Sequence, residues 1–268
     1  MRGLWRSWMF ENPCDLAKYV EVLGSNILDL ERSSKVWKVR ETSITDLIIA
    51  SFKANITPAW LEVDASHEAT TNADFEVIFR SGGKDLTFLI QAKRTGATKK
   101  GAATIPELFH PKSSGLQNRS LIDFAKNNNM IALYSVFLST KQVSNLTSHI
   151  YPFSGIMIQP AIEVRNNGYR HPKKNVLLAS NILKKSVPFH RLFCAASSKR
   201  TLVSVAQTLV SEDSGLDEEE ISARITPSIS FQERRERDRD QRLYRDAADR
   251  SFDTFRVLIK IEGIDPQL

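Results

Sequence analysis

Two runs in the first third of the chain, Asp74 to Phe79 and Asp85 to Arg94, are rich in aromatic and branched residues and are joined through Gly82-Gly83. That composition, closed by two glycines between small or polar neighbours, predicts a β-hairpin. Alternation along a strand then places Asp74, Glu76 and Ile78 on one face, and Gln91 with Lys93 on one face of the partner. Counting outward from the glycines sets Asp74 directly opposite Gln91, whether the turn is Gly82-Gly83 or a symmetric loop from Ser81 to Lys84. Upstream, Leu16, Tyr19, Val20 and Leu23 recur at helical spacing after Asn12-Pro13, and Ile27, Leu28 and Leu30 extend the pattern beyond Gly24. A second helix carries Ile44, Leu47, Ile48 and Phe52 on one face, with Ser43 and Asp46 spaced as a capping box. Ala59 to Asp64 alternates as a strand. Thr95 to Lys112 reads as a loop broken by Gly96, Gly101, Pro106 and Pro111. Leu116 to Asn127 predicts a helix, and the nearly continuous apolar run Met130 to Leu138 a strand covered on both faces. The order helix, strand, strand, strand, helix, strand implies an α/β fold in which helices flank a mixed central sheet.

Past Val143 the pattern is weaker. Gly155 to Ile158 predicts a strand entering a helix that runs through Val164, and Ser198 to Ser211 a further helix. Gln232 to Arg250 mixes Arg with Asp and Glu as in a solvent-facing helix, and Thr254 to Ile261 reads as a last strand. The implied division is a helical segment 1–40, a core 41–211 and a charged C-terminal part 212–268.

Composition adds little to this. The 268 residues are 41% hydrophobic and 25% charged, ordinary for a globular protein. The net charge of +6 suits a polyanionic partner without demanding one. No apolar run is long enough to span a bilayer, and Met1 to Phe10 lacks the apolar core of a signal peptide, so a cytoplasmic setting without membrane partners is expected. Cys14 and Cys194 are the only cysteines, and the five histidines are scattered. Neither a zinc cluster nor a disulfide scaffold is expected, and any metal would be held by oxygen.

The hairpin carries the candidate chemistry. Opposed residues on paired strands stand about 4.5–5.5 Å apart at Cβ, so Asp74, Gln91 and Lys93 converge at one end. A carboxylate with a neutral carbonyl oxygen can hold Mg2+ or Mn2+, which keeps several waters, and a lysine beside it can orient or activate the attacking water. An ordinary cross-strand ion pair is the plainer reading of the same residues.

Asp74 followed by Gln91-Ala92-Lys93 at the end of a hydrophobic strand resembles the PD-(D/E)XK nuclease superfamily, in the Mrr-like variant with glutamine before x-K. The set Glu41-Thr42-Ser43-Ile44-Thr45-Asp46, Asn72-Ala73-Asp74-Phe75-Glu76, Gln91 to Arg94 and Gln117 to Leu121 is also similar to an uncharacterised bacterial domain family. It departs from that pattern at Asn72, where glycine is usual, and at Phe75, often tryptophan. The resemblance implies a restriction-endonuclease-like αβββαβ core and a metal site of Asp74, Gln91 and Glu41, with Asp46 the alternative to Glu41. It also implies a supporting or nucleic-acid-contacting Gln117. Arg94 and the Lys99-Lys100 loop are candidate phosphate contacts. The implied activity is Mg2+-dependent cleavage of DNA in bacterial antiviral defence, alone, as a homodimer or with a partner protein. A non-catalytic nucleic-acid-binding or assembly module and an RNA-cleaving toxin are the alternatives.

Overall fold

The structure is a computed structural model that describes residues 10, 12–34, 39–55, 60–66, 68–97, 103–106, 111–112, 115–145, 154–169, 177–197, 201–207 and 218–228. Helix α1 (Pro13–Ser33) starts where Asn12 accepts a hydrogen bond from the Asp15 backbone N–H at 3.0 Å, with proline at its first position. Helix α2 (Glu41–Ala54) starts three residues earlier than the capping-box spacing suggests. Arg40 is its N-cap, and Ser43 N bonds the Arg40 carbonyl, so the Ser43 and Asp46 box is not used. Glu41 thereby lies in the first turn.

Strand β1 (Leu61–Ala65) leads through the short helix α3 (Glu68–Thr71) into the hairpin of β2 (Phe75–Ser81) and β3 (Lys84–Arg94). Gly82 and Gly83 both have positive φ, 57° and 70°, which makes the two-residue turn readily accessible to glycine. The segment expected to be a loop folds further: β4 (Gly96–Ala97) pairs with β5 (Ala103–Ile105), and β6 (Pro111–Lys112) with β7 (Gly115–Leu116). Helix α4 (Gln117–Asn127) carries the chain back to β8 (Ile131–Phe137), which runs parallel to β3. The order helix, strand, strand, strand, helix, strand is thus present as α2, β1, β2, β3, α4 and β8.

The chain continues through α5 (Thr140–Asn145), β9 (Ile156–Pro160), α6 (Ala161–Tyr169), β10 (Leu177–Leu178) and α7 (Ala179–Ile182). It then forms β11 (Val187–Pro188), α8 (His190–Ser197), α9 (Leu202–Gln207), α10 (Glu218–Ala223) and β12 (Thr226–Pro227). The result is a mixed, open sheet of seven strands in the order β1-β2-β3-β8-β9-β11, with β12 paired to the start of β3. Strand β10 joins β5 and β4 in a separate three-stranded sheet.

Each face of the large sheet carries its own apolar layer. Val77, Phe88, Ile90 and Leu133 pack with residues of α1, α2, α8 and α9. Leu89, Tyr134, Val136 and Met157 pack with α4, α6 and α7. Strand β3 is therefore sealed above and below, as continuous apolar sequence requires.

Two expectations change here. Cys14 in the first turn of α1 and Cys194 in α8 are joined as a disulfide, 180 residues apart in sequence with Cα atoms 4.6 Å apart. Nothing in their spacing signals the pairing, which arises because α1 packs along α8. The compact unit runs to Ile229, past the expected border at 211, since β12 pairs with β3 and Ser228 Oγ donates to Asp85 at 2.6 Å. A second unit, Ser230–Leu268, contains the predicted charged helix and last strand and lies outside the described residues. Among the described residues no helix is long and apolar enough to cross a membrane.

Candidate active site

The site exists because β3 outlasts β2. The ladder closes with Phe75 opposite Ile90 and Asp74 N donating to the Ile90 carbonyl at 2.9 Å. Beyond that point β3 runs on with an open flank, and Asp74 stands beside Gln91 as the register predicts. Asn72 makes the bend into this position: its φ is 57°, and its N–H donates to Glu68 at 2.8 Å. Asparagine is the non-glycine residue that best tolerates left-handed backbone, which accounts for its presence where the resembled pattern carries glycine. We expect Asn72→Gly to fold normally and Asn72→Val to lose about 1–2 kcal/mol, read as a shifted denaturation midpoint.

One carboxylate oxygen of Asp74 receives two hydrogen bonds, from Ala92 N at 2.6 Å and from the Gln91 side-chain amide. The Gln91 carbonyl oxygen accepts in turn from Gln117 Nε2 at 2.8 Å. Backbone groups alternate between the flanks of a strand, so the Ala92 carbonyl leaves β3 on the same open side as its N–H. Around the strand end Lys93 Nζ lies 3.7 Å from Glu41 Oε1, while Glu41 Oε2 accepts from Arg94 N at 2.7 Å. Asp74, Gln91, Lys93 and Glu41 are all brought to one end of β3, as two linked pairs rather than one trio.

The Gln91 oxygen, expected to face a cation, is turned to Gln117, so the amide nitrogen faces Asp74 instead. Arg94, expected to touch nucleic acid, commits its guanidinium to Glu31 at 3.0 Å and to the Val39 carbonyl. Gln117 is buried and braces Gln91. Asp46 is exposed on α2, which leaves Glu41 as the acid that reaches the strand. Lys99 and Lys100 lie outside the described residues. Sequence reading missed the Ala92 backbone and the Glu31 brace; the first carries no side-chain signal, and the second lies 63 residues from its partner.

Burial raises the pKa of Asp74 from 3.8 to about 7; Glu41 and Glu68 push the same way, and the Ala92 N–H and Lys93 oppose them. The sign of the consequence is definite. The folded state binds the proton more tightly than the unfolded state, so this carboxyl's contribution to stability is full below about pH 4 and is lost as pH rises toward 7. In metal-free protein this contribution should be roughly 2–4 kcal/mol. Asp74→Asn should flatten that slope and be the more stable protein at pH 8, as chemical denaturation at several pH values would show.

Among the described residues no group of three or more His, Cys, Asp and Glu is gathered that could hold a metal by itself. The donors that are gathered still suit a hard cation. Mg2+ commonly takes one or two protein carboxylates, with water and substrate phosphate filling the rest. Asp74 and Glu41 supply two carboxylates and Ala92 a backbone oxygen on the same flank. Burial, the main cause of the raised Asp74 pKa, disfavours the bare carboxylate, and a cation beside it would favour the charged form again.

No curated protein matches the chain. Residues 14–257 match a family of unknown function, DUF6615, and the chain belongs to that family.

Proposed function

We propose that this protein is a metal-dependent nuclease that hydrolyses phosphodiester bonds in DNA. The observation that carries the reading is the placement of Asp74 beside Gln91, with the Lys93 and Glu41 pair next to them, where β3 emerges from its sheet. Asp74, Glu41 and the Ala92 carbonyl would hold Mg2+ or Mn2+, which when bound polarises the phosphate and acidifies water. Lys93 is nearly buried and paired with Glu41, which keeps its ammonium at the strand end where substrate would lie. There it orients the attacking water and draws a phosphate oxygen into place. Water adds to phosphorus as the ester P–O bond breaks; its proton is released toward solvent or a site carboxylate, and the departing sugar oxygen takes up a proton from solvent. Gln117 and Ala92 N keep Gln91 and Asp74 in position throughout.

The test is cleavage of plasmid DNA by the full chain with Mg2+ or Mn2+, against the same mixture with EDTA. Metal-dependent nicking that disappears in Asp74→Ala supports the reading, as does electron density for manganese beside Asp74 after soaking. Cleavage that survives Asp74→Ala, or manganese bound only elsewhere, sinks it. Cutting of RNA but not DNA would move the assignment to a ribonuclease.

A further inference from the structure

The row that holds Asp74 does not stop at Gln91. Gln91 pairs with Tyr134 on β8, and Tyr134 with Gln159 on β9. Directly opposed residues share a face, so Gln91, Tyr134 and Gln159 stand side by side across three strands beneath α4 and α6, with Asp74, just before β2, bonded to Gln91 at the end of the row. The first turn of α4 lies over them: Gln117 bonds Gln91, and Asn118 bonds the Tyr134 hydroxyl and donates to the Ala161 carbonyl at 3.3 Å. Gln91, Gln117, Asn118, Tyr134 and Gln159 are each at most 4% exposed.

The far end of the row is peculiar. Among the described residues neither the nitrogen nor the oxygen of the Gln159 amide has a hydrogen-bond partner, nor has Asn118 Oδ1. A buried amide without partners is costly, and the rest of β9 from Ile156 to Ile158 is apolar and fully packed. Methionine or leucine at 159 would suit that environment better, so stability alone does not account for glutamine here.

We propose that Gln159 is a positioning residue, the outer anchor of a buried polar row that fixes the Gln91 amide and, through it, Asp74. The proposal rests on reading Asp74 and Gln91 as the site. Neighbouring rungs are about 5 Å apart, so the Gln159 side chain stands next to Tyr134 on one side and Gln91 stands next to it on the other. A shift at one end of so closely packed a row is passed along it.

The test is Gln159→Met, which keeps length and removes the amide, read first on metal-free protein. The readout is the side-chain 15N–1H signal of Gln91, assigned by its loss in Gln91→Glu. The expected result is a midpoint temperature equal to or above that of the wild type together with displaced Gln91 signals. Apparent Mn2+ affinity, read from thermal shifts, should then fall roughly tenfold, as for other groups that orient metal ligands. Tyr134→Phe, which removes only the hydroxyl held by Asn118, should displace the same signals. Unmoved Gln91 signals in either variant overturn the proposal, whichever way stability changes. A wild type that ignores Mn2+ while its Gln91 signals respond to Gln159→Met would keep the row and remove the metal reading.

Discussion

Replacing Lys93 by methionine is expected to lower metal-dependent cleavage by about 10²–10⁴-fold while leaving the fold intact. The range is that of a positioned group acting on the attacking water. Methionine keeps most of the buried stem, so the space Lys93 fills between the sheet and its neighbours stays occupied. What disappears is the ammonium, and with it the cation that partly offsets Glu41 at Asp74. Two signatures therefore accompany the loss of activity. The pH at which Asp74 titrates should move upward, so the fall in stability between pH 4 and 7 extends further toward alkaline pH. A double-mutant cycle of Lys93→Met with Glu41→Gln should show a coupling of roughly 0.5–3 kcal/mol, as expected for groups in contact. Unfolding transitions, measured beside the cleavage rates, separate this from a structural role. If Lys93→Met loses activity only in proportion to the protein that unfolds, Lys93 is a brace and no participant.

The parts of this site that were legible in sequence are those governed by parity and turns. Two glycines at positive φ fix the hairpin count, and the count alone sets Asp74 against Gln91. The apolar run of β8 announces a strand with helices on both sides, and the helical spacing before and after the hairpin gives the order of elements. Glu41 needed the resemblance, because an acid in a first helical turn has an ordinary explanation in the helix dipole. Three things were not legible. The orientation of the Gln91 amide depends on Gln117, 26 residues away on another element. The small sheet of β4, β5 and β10 is built from strands of two or three residues, too short to show a period. The polar row continues to Gln159 only because β8 lies between β3 and β9, an adjacency that no local pattern states.

The disulfide gives the largest expected change in stability. Closing a loop of 180 residues removes chain entropy from the unfolded state worth about 5 kcal/mol in the loop-closure account, and removal of native bridges usually costs about 2–5 kcal/mol. For a chain of this size each kcal/mol is about 2–4 °C, so reduction, or Cys14→Ser, should lower the midpoint by roughly 5–15 °C. Cleavage at 25 °C should change little, because α1 keeps its other attachments. Glu21 holds His190 at 2.7 and 2.8 Å, Ser25 donates to the Leu138 carbonyl at 2.7 Å, and Glu31 holds Arg94 at the far end of the helix. The bond thus constrains the unfolded chain more than it shapes the site. Disulfides are rare in reducing compartments, so whether this pair is bonded in the cell bears on the compartment in which the protein works. Alkylating the protein at the moment of cell lysis and counting modified cysteines tests both at once: no modification means the bridge exists in the cell, and two modified cysteines mean that it forms only on oxidation. In either case Cys14→Ser should abolish the effect of reductant on the midpoint, and a variant that still responds would show that reductant acts by another route.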